Sequence, residues 1–141
     1  MTSAMPDLDF APLRGFWEGA AAGELRIPRC RACAAWIWYP RATCPGCGGD
    51  AIAWTATSGR GTLYSFAVVR RALWAPYASF VPYATGLVAL AEDPAVRIVT
   101  RLVDCDVDRL RVDEPVYAVF EPLAFPGDER RIPAPFFTPT R

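Results

Sequence analysis

Apolar positions change period along this chain. Over residues 7–23, DLDFAPLRGFWEGAAAG, Phe10, Leu13, Phe16, Trp17 and Ala20 recur at helical spacing. That spacing predicts an amphipathic helix with Asp9 as its cap and Gly23 as its stop. Its single apolar stripe must be covered, either by the chain's own core or by a partner or ligand tunnel. From residue 63 the period becomes that of strands: LYSFAVV (63–69), ATGLVAL (84–90), VRIVTRLV (96–103) and VYAVFEPL (116–123). The third alternates most clearly, with Val96, Ile98, Thr100 and Leu102 on one face and Arg97, Val99, Arg101 and Val103 on the other. Turn signals separate the strands at 75–83, at Glu92-Asp93-Pro94, at Asp113-Glu114-Pro115 and at Pro126-Gly127-Asp128. Residues 104–112, DCDVDRLRV, leave room for one helical turn. Four or five short strands with one small inserted helix fit a small closed barrel better than a sandwich.

Between the helix and the first of these strands the pattern is carried by cysteine. Cys30-x2-Cys33 and Cys44-x2-Cys47 stand ten residues apart. Two residues between thiolates let a tight turn aim both sulfurs at one ion, and two such turns complete a tetrahedron. The spacer allows a strand out, holding Trp36 to Tyr39, a bend at Pro40-Arg41 and a strand back. The second turn, CPGCGG, has Gly48 where a residue takes positive φ, whereas the first, CRACAA, has Ala34 in that place. Four cysteines fill every zinc position, so the reading is one structural zinc per chain rather than a catalytic one with an open site. Paired Cys-x-x-Cys in a cytoplasmic chain argues against disulfides, and neither pair opens a helix as a redox pair does. The fifth cysteine, Cys105, reads as a small apolar group.

Composition narrows the chemistry. The 141 residues hold no histidine, and all 15 basic residues are arginine. Imidazole acid–base work, Ser-His-Asp and Cys-His catalysis and lysine Schiff bases are therefore excluded. Charge is uneven although the total is zero: residues 1–23 carry −2, 24–71 carry +5 and 72–141 carry −3. The basic share surrounds the cysteines, where a zinc tetrathiolate contributes −2 of its own. An N-terminus with acids instead of a basic and apolar leader predicts a cytoplasmic protein. The uncharged run 72–91 is broken by Pro76, Ser79, Pro82 and Gly86, so it reads as a loop and a strand rather than a membrane span.

The chain resembles the stand-alone DUF35 proteins. The residues that carry the resemblance are Trp17, GELRIPRCRAC (23–33), YPRATCPGCGG (39–49), W-x-x-x-SGRGTLYSFAVV (54–69), FVPYATGLVAL (80–90), VRIVTRLV and VDEPVYAVFE (112–121). The resemblance implies a mainly β fold: an N-terminal helical segment (1–23), a rubredoxin-like zinc ribbon (24–52), a five-stranded OB-fold barrel (53–123) and a C-terminal tail (124–141). It also implies an accessory subunit, without catalysis of its own, of a thiolase-superfamily enzyme acting on acyl-CoA thioesters. Such a partner is a thiolase or acyltransferase or a sterol side-chain aldolase, and the implied complex is a two-plus-two hetero-oligomer with acyl-CoA at the shared interface. The rival reading of a barrel with a zinc ribbon is single-stranded nucleic-acid binding. A barrel half of net −3 and a pI near 6.2 speak against it.

Two stretches offer contact surface. In RRALWAPYASFVPY (70–83), Trp74, Tyr77, Phe80 and Tyr83 exceed what a turn needs, and Arg70 and Arg71 suit a CoA phosphate. The alternative is that these rings plug the barrel end. Trp36 and Trp38 either meet a partner or pack the ribbon on the barrel. The proline-rich tail with Phe136 and Phe137 is read as disordered or laid along a partner.

Overall fold

The computed structural model describes residues 4–139. The first apolar stripe forms in two pieces. A 3-10 turn, Ala11–Leu13, carries Pro12 in its first positions and leads directly into α1, Arg14–Ala21. Asp9 does not cap this turn, because Asp9 precedes Phe10, the N-cap residue, and the Asp9 N–H is itself held by Asp7 Oδ1 at 2.9 Å. Gly23, at φ +73°, ends the helix as expected, and the Glu24 N–H returns to the Gly19 carbonyl at 2.8 Å. The face that α1 buries includes Gly15, Gly19 and Ala20. At Gly15 a Cβ would lie 2.2 Å from Trp54 Cγ, so only glycine lets the helix lie this close.

Two strands hold the cysteine module. β1, Arg26–Cys30, pairs antiparallel with β2, Ile52–Ala56, in a sheet of their own, from Arg26 opposite Ala56 to Cys30 opposite Ile52. The expected out-and-back pair between the knuckles is not there. Trp36 makes one isolated bridge to Arg29, the Ile37 N–H donates to the Pro28 carbonyl, and residues 40–51 run through turns without a strand. The two knuckle turns, each with two sulfurs, and Pro40 use up the spacer, so β2 supplies the returning strand. The ribbon sheet therefore extends to Ala56, past the boundary expected at residue 52.

The remainder is the expected closed barrel. β3 is Arg60–Val69, β4 Tyr83–Leu90, β5 Arg97–Leu102, β6 Pro115–Leu123 and β7 Ile132–Pro139, and they close in the order β3-β4-β5-β7-β6. A 3-10 turn, Val107–Arg109, fills the predicted helical slot, with Asp106 accepting from the Asp108 N–H. β5 buries Ile98, Thr100 and Leu102 in the alternation read from sequence. Tyr64 is the extra residue of a bulge between Leu63 and Ser65, which lets the ten-residue β3 bend around the barrel. Leu63, Val88, Leu90, Ile98, Val116 and Phe137 fill the interior, joined by Leu25 and Ile27 from the ribbon side. One hydrophobic core thus spans both modules.

The fifth strand is the largest correction. It comes from residues read as a disordered or partner-bound tail: β7 pairs with β6 from Ile132 opposite Leu123 to Pro139 opposite Val116. Prolines at 133, 135 and 139 argue against a strand by sequence. Yet all three share parity with Phe137, whose carbonyl faces β5 and accepts from the Val103 N–H at 2.9 Å. Their missing donors therefore point to the sparsely paired β5 side, while the β6 ladder uses the residues between them.

Candidate metal centre and contact surface

The two knuckles are copies of one turn. The Ala34 N–H donates to the Cys30 carbonyl at 2.9 Å, and the Gly48 N–H donates to the Cys44 carbonyl at 2.8 Å. Each turn closes again one residue later, Cys30 N–H to Ala35 oxygen and Cys44 N–H to Gly49 oxygen, at 2.9 and 2.7 Å. These bonds gather the four sulfurs within 4.8 Å of one another, with Cys30–Cys47 and Cys33–Cys44 each at 3.6 Å. A zinc tetrathiolate with bonds of about 2.3 Å separates its sulfurs by roughly 3.8 Å, so this donor set fits zinc.

Electrostatics agree with the geometry. The Cys33 N–H leads the backbone donors that bring Cys30 down to about 7 against the effect of burial. Cys44 is lowered in the same way, chiefly by the Cys47 N–H. At Cys33 the Ala35 N–H also favours the thiolate, but the neighbouring sulfurs, Cys44 first, together with burial, push it up to about 11. Thiolates crowded at this spacing repel one another, and a bound dication offsets that repulsion. Cys30 and Cys44 are buried, and Cys33 and Cys47 reach the surface. With four sulfur ligands the centre is a structural one, leaving no position for water.

The aromatic residues between the knuckles are largely spoken for. Trp36 and Trp38 are half-buried against the shared core, and Trp38 meets Phe16 of α1 at 5.9 Å. Tyr39, 54% exposed, is the ring of this run that faces outward. The ribbon is thus packed on the barrel through its tryptophans.

The 70–83 loop behaves differently. Trp74, Tyr77 and Phe80 form a continuous row, with ring centroids 5.0 and 5.5 Å apart, and Tyr77 rests edge-on against Phe125 at 6.4 Å. Tyr83, half-buried, begins β4. Arg70 is engaged with Asp108 of the 3-10 turn, whereas Arg71 is exposed. Leu73 is 98% exposed, Trp74 45% and Phe80 40%, so the row is anchored at Tyr77 and apolar on its outer side.

Some residues the pattern did not single out also matter. Arg29 donates to the Ala34 carbonyl, and its guanidinium lies over Trp36. Asp104, in the bend after β5, interacts with Glu121 of β6; burial first, then the Asp104 charge, raises Glu121 above its ordinary value while Arg101 opposes the rise. Arg101 also lies over the Phe136 ring at 4.9 Å. Neither pairing has a local signature, because each joins residues brought together only by the turns and the barrel. Leu73 has no sequence signature either, since the path of the loop sets its exposure.

Fold and site together define a zinc-ribbon protein with a closed β-barrel on a common core. Residues 17–53 match the family model described as ChsH2, rubredoxin-like zinc ribbon domain, and residues 54–121 match ChsH2, C-terminal OB-fold domain. A solved Ltp2-ChsH2(DUF35) aldolase is similar at a TM-score of 0.76 and 27% identity, covering 98% of this chain and 98% of that one. The chain belongs to the ChsH2 (DUF35) family.

Proposed function

We propose that this chain is a non-catalytic accessory subunit of a thiolase-superfamily enzyme acting on acyl-CoA thioesters. The observation that carries this reading is its likeness, over 98% of both chains, to a chain of an Ltp2-ChsH2(DUF35) aldolase. Chemistry supports it: four cysteines are committed to a closed metal centre, and the sequence has no histidine or lysine to act as a base or nucleophile. The partner then supplies the catalytic groups, whether it is a thiolase, an acyltransferase or a sterol side-chain aldolase. The assembly is a cytoplasmic hetero-oligomer of two copies of each chain.

The 70–83 loop is the contact surface in this reading. Leu73, Trp74 and Phe80 present apolar area to the partner, with Tyr77 supporting Trp74 and Phe80 from below and Tyr83 at the start of β4. Arg71 faces the CoA phosphates at the shared interface, while Arg70 holds the loop to Asp108. The tagged chain, co-expressed with a thiolase-like protein from the same genome, retains that protein through purification. A chain that retains nothing, and by itself turns over CoA thioesters, would overturn the proposal.

A further inference from the structure

The two knuckles differ at one backbone position. Gly48 holds φ +74° in the second, where glycine has no Cβ to crowd the chain. Ala34 holds φ +64° in the first, a conformation that is strained for any residue with a Cβ. The same two turn hydrogen bonds form in both knuckles, so the first keeps its shape despite the strain.

One side chain is present at the first knuckle and has no counterpart at the second. Arg29 Nε donates to the Ala34 carbonyl at 3.0 Å. The Arg29 guanidinium lies 4.6 Å from the centre of the Trp36 ring, and the backbones of Arg29 and Trp36 bridge each other. Thr43 occupies the matching place before Cys44, and among the described residues no side chain donates to the Gly48 carbonyl. Arg29 therefore grips the strained residue from one side and the half-buried Trp36 from the other.

We propose that Arg29 is a positioning residue for the metal centre, clamping the first knuckle in the left-handed turn that Ala34 resists. It holds the Cys30 and Cys33 sulfurs at the spacing zinc needs, a task that glycine performs unaided in the second knuckle. A guanidinium suits it, since its planar fork can hydrogen-bond a carbonyl edge-on while its face stacks on an indole. The competing role, general charge compensation of the thiolates, requires only a nearby cation and is indifferent to residue 34.

That difference defines the test. Zinc affinity of the full-length protein is measured by competition with a chromophoric chelator for the native chain, Arg29→Met, Ala34→Gly and the double variant. Methionine retains the apolar stem over Trp36 and removes the donor. Cobalt substitution, read by its thiolate charge-transfer band, verifies that all four sulfurs still bind. Arg29→Met is expected to weaken zinc binding about tenfold beside Ala34 and less than about threefold beside the Ala34→Gly substitution. Equal losses in both backgrounds, or no loss in either, would overturn the clamp. If Arg29→Met is insoluble, recovery by Ala34→Gly supports the proposal, and insolubility of both variants contradicts it.

Discussion

Leu102 lies directly across from Phe137 in the parallel pairing of β5 with β7, and the Phe137 ring is fully buried there. This pair joins the third predicted strand to a segment that reads, by sequence, as a tail. Closing the barrel depends on it, because β7 bridges β5 and β6. Phe137→Ala should therefore lower stability by about 3–5 kcal/mol, read as a fall in the urea midpoint with little change in slope. A surface-strand phenylalanine would lose far less.

Why that strand was illegible is physical. Alternating prolines normally forbid a central strand, and only the tertiary arrangement shows that Pro133, Pro135 and Pro139 face the side with few partners. The four other barrel strands were legible as runs of β-branched, aromatic and other apolar residues between turn signals, and β5 also by the alternation of Ile98, Thr100 and Leu102. The four metal ligands were legible from spacing, since a two-residue gap between thiolates has one dominant geometry. Arg29 was not, because its partner Ala34 is brought near by the turn that the metal ligands define.

The metal centre predicts stoichiometry as well as stability. Elemental analysis of the purified protein should return one zinc per chain. Cys44→Ser removes a buried sulfur from a shared tetrahedron and should lower metal content and soluble yield together. Iron with reversible redox activity, or no metal in a well-folded protein, would contradict the assignment.

Glu121 predicts a pH dependence of definite sign. Its carboxyl titrates above 4.5 in the folded protein, first through burial and then through Asp104. The folded state therefore binds this proton more tightly than the unfolded chain. The cost of the charged form is fully present above the folded value, shrinks as pH falls through it, and is gone below 4.5. Glu121→Gln should raise Tm by about 1–3 °C at pH 7.5 and leave it unchanged at pH 4, measured by thermal melts. A variant that melts lower at pH 7.5 would show that the Glu121 carboxylate is stabilising.

Leu73 separates folding from association. It is 98% exposed, so Leu73→Asp should change stability by less than about 0.5 kcal/mol in a urea titration. If the 70–83 loop carries the interface, the same substitution weakens partner binding at least about tenfold, measured by calorimetric or interferometric titration. Unchanged binding would place the interface elsewhere on the barrel.

The central proposal is that this chain works as one component of a larger enzyme. Its most direct test is the mass, by light scattering after size exclusion, of the complex co-expressed with its thiolase-like partner. A single peak weighing two copies of each chain is expected, with an enzyme that loses most of its activity or solubility when this chain is omitted. A separate 15.5 kDa monomer beside a partner fully active without it would contradict the account.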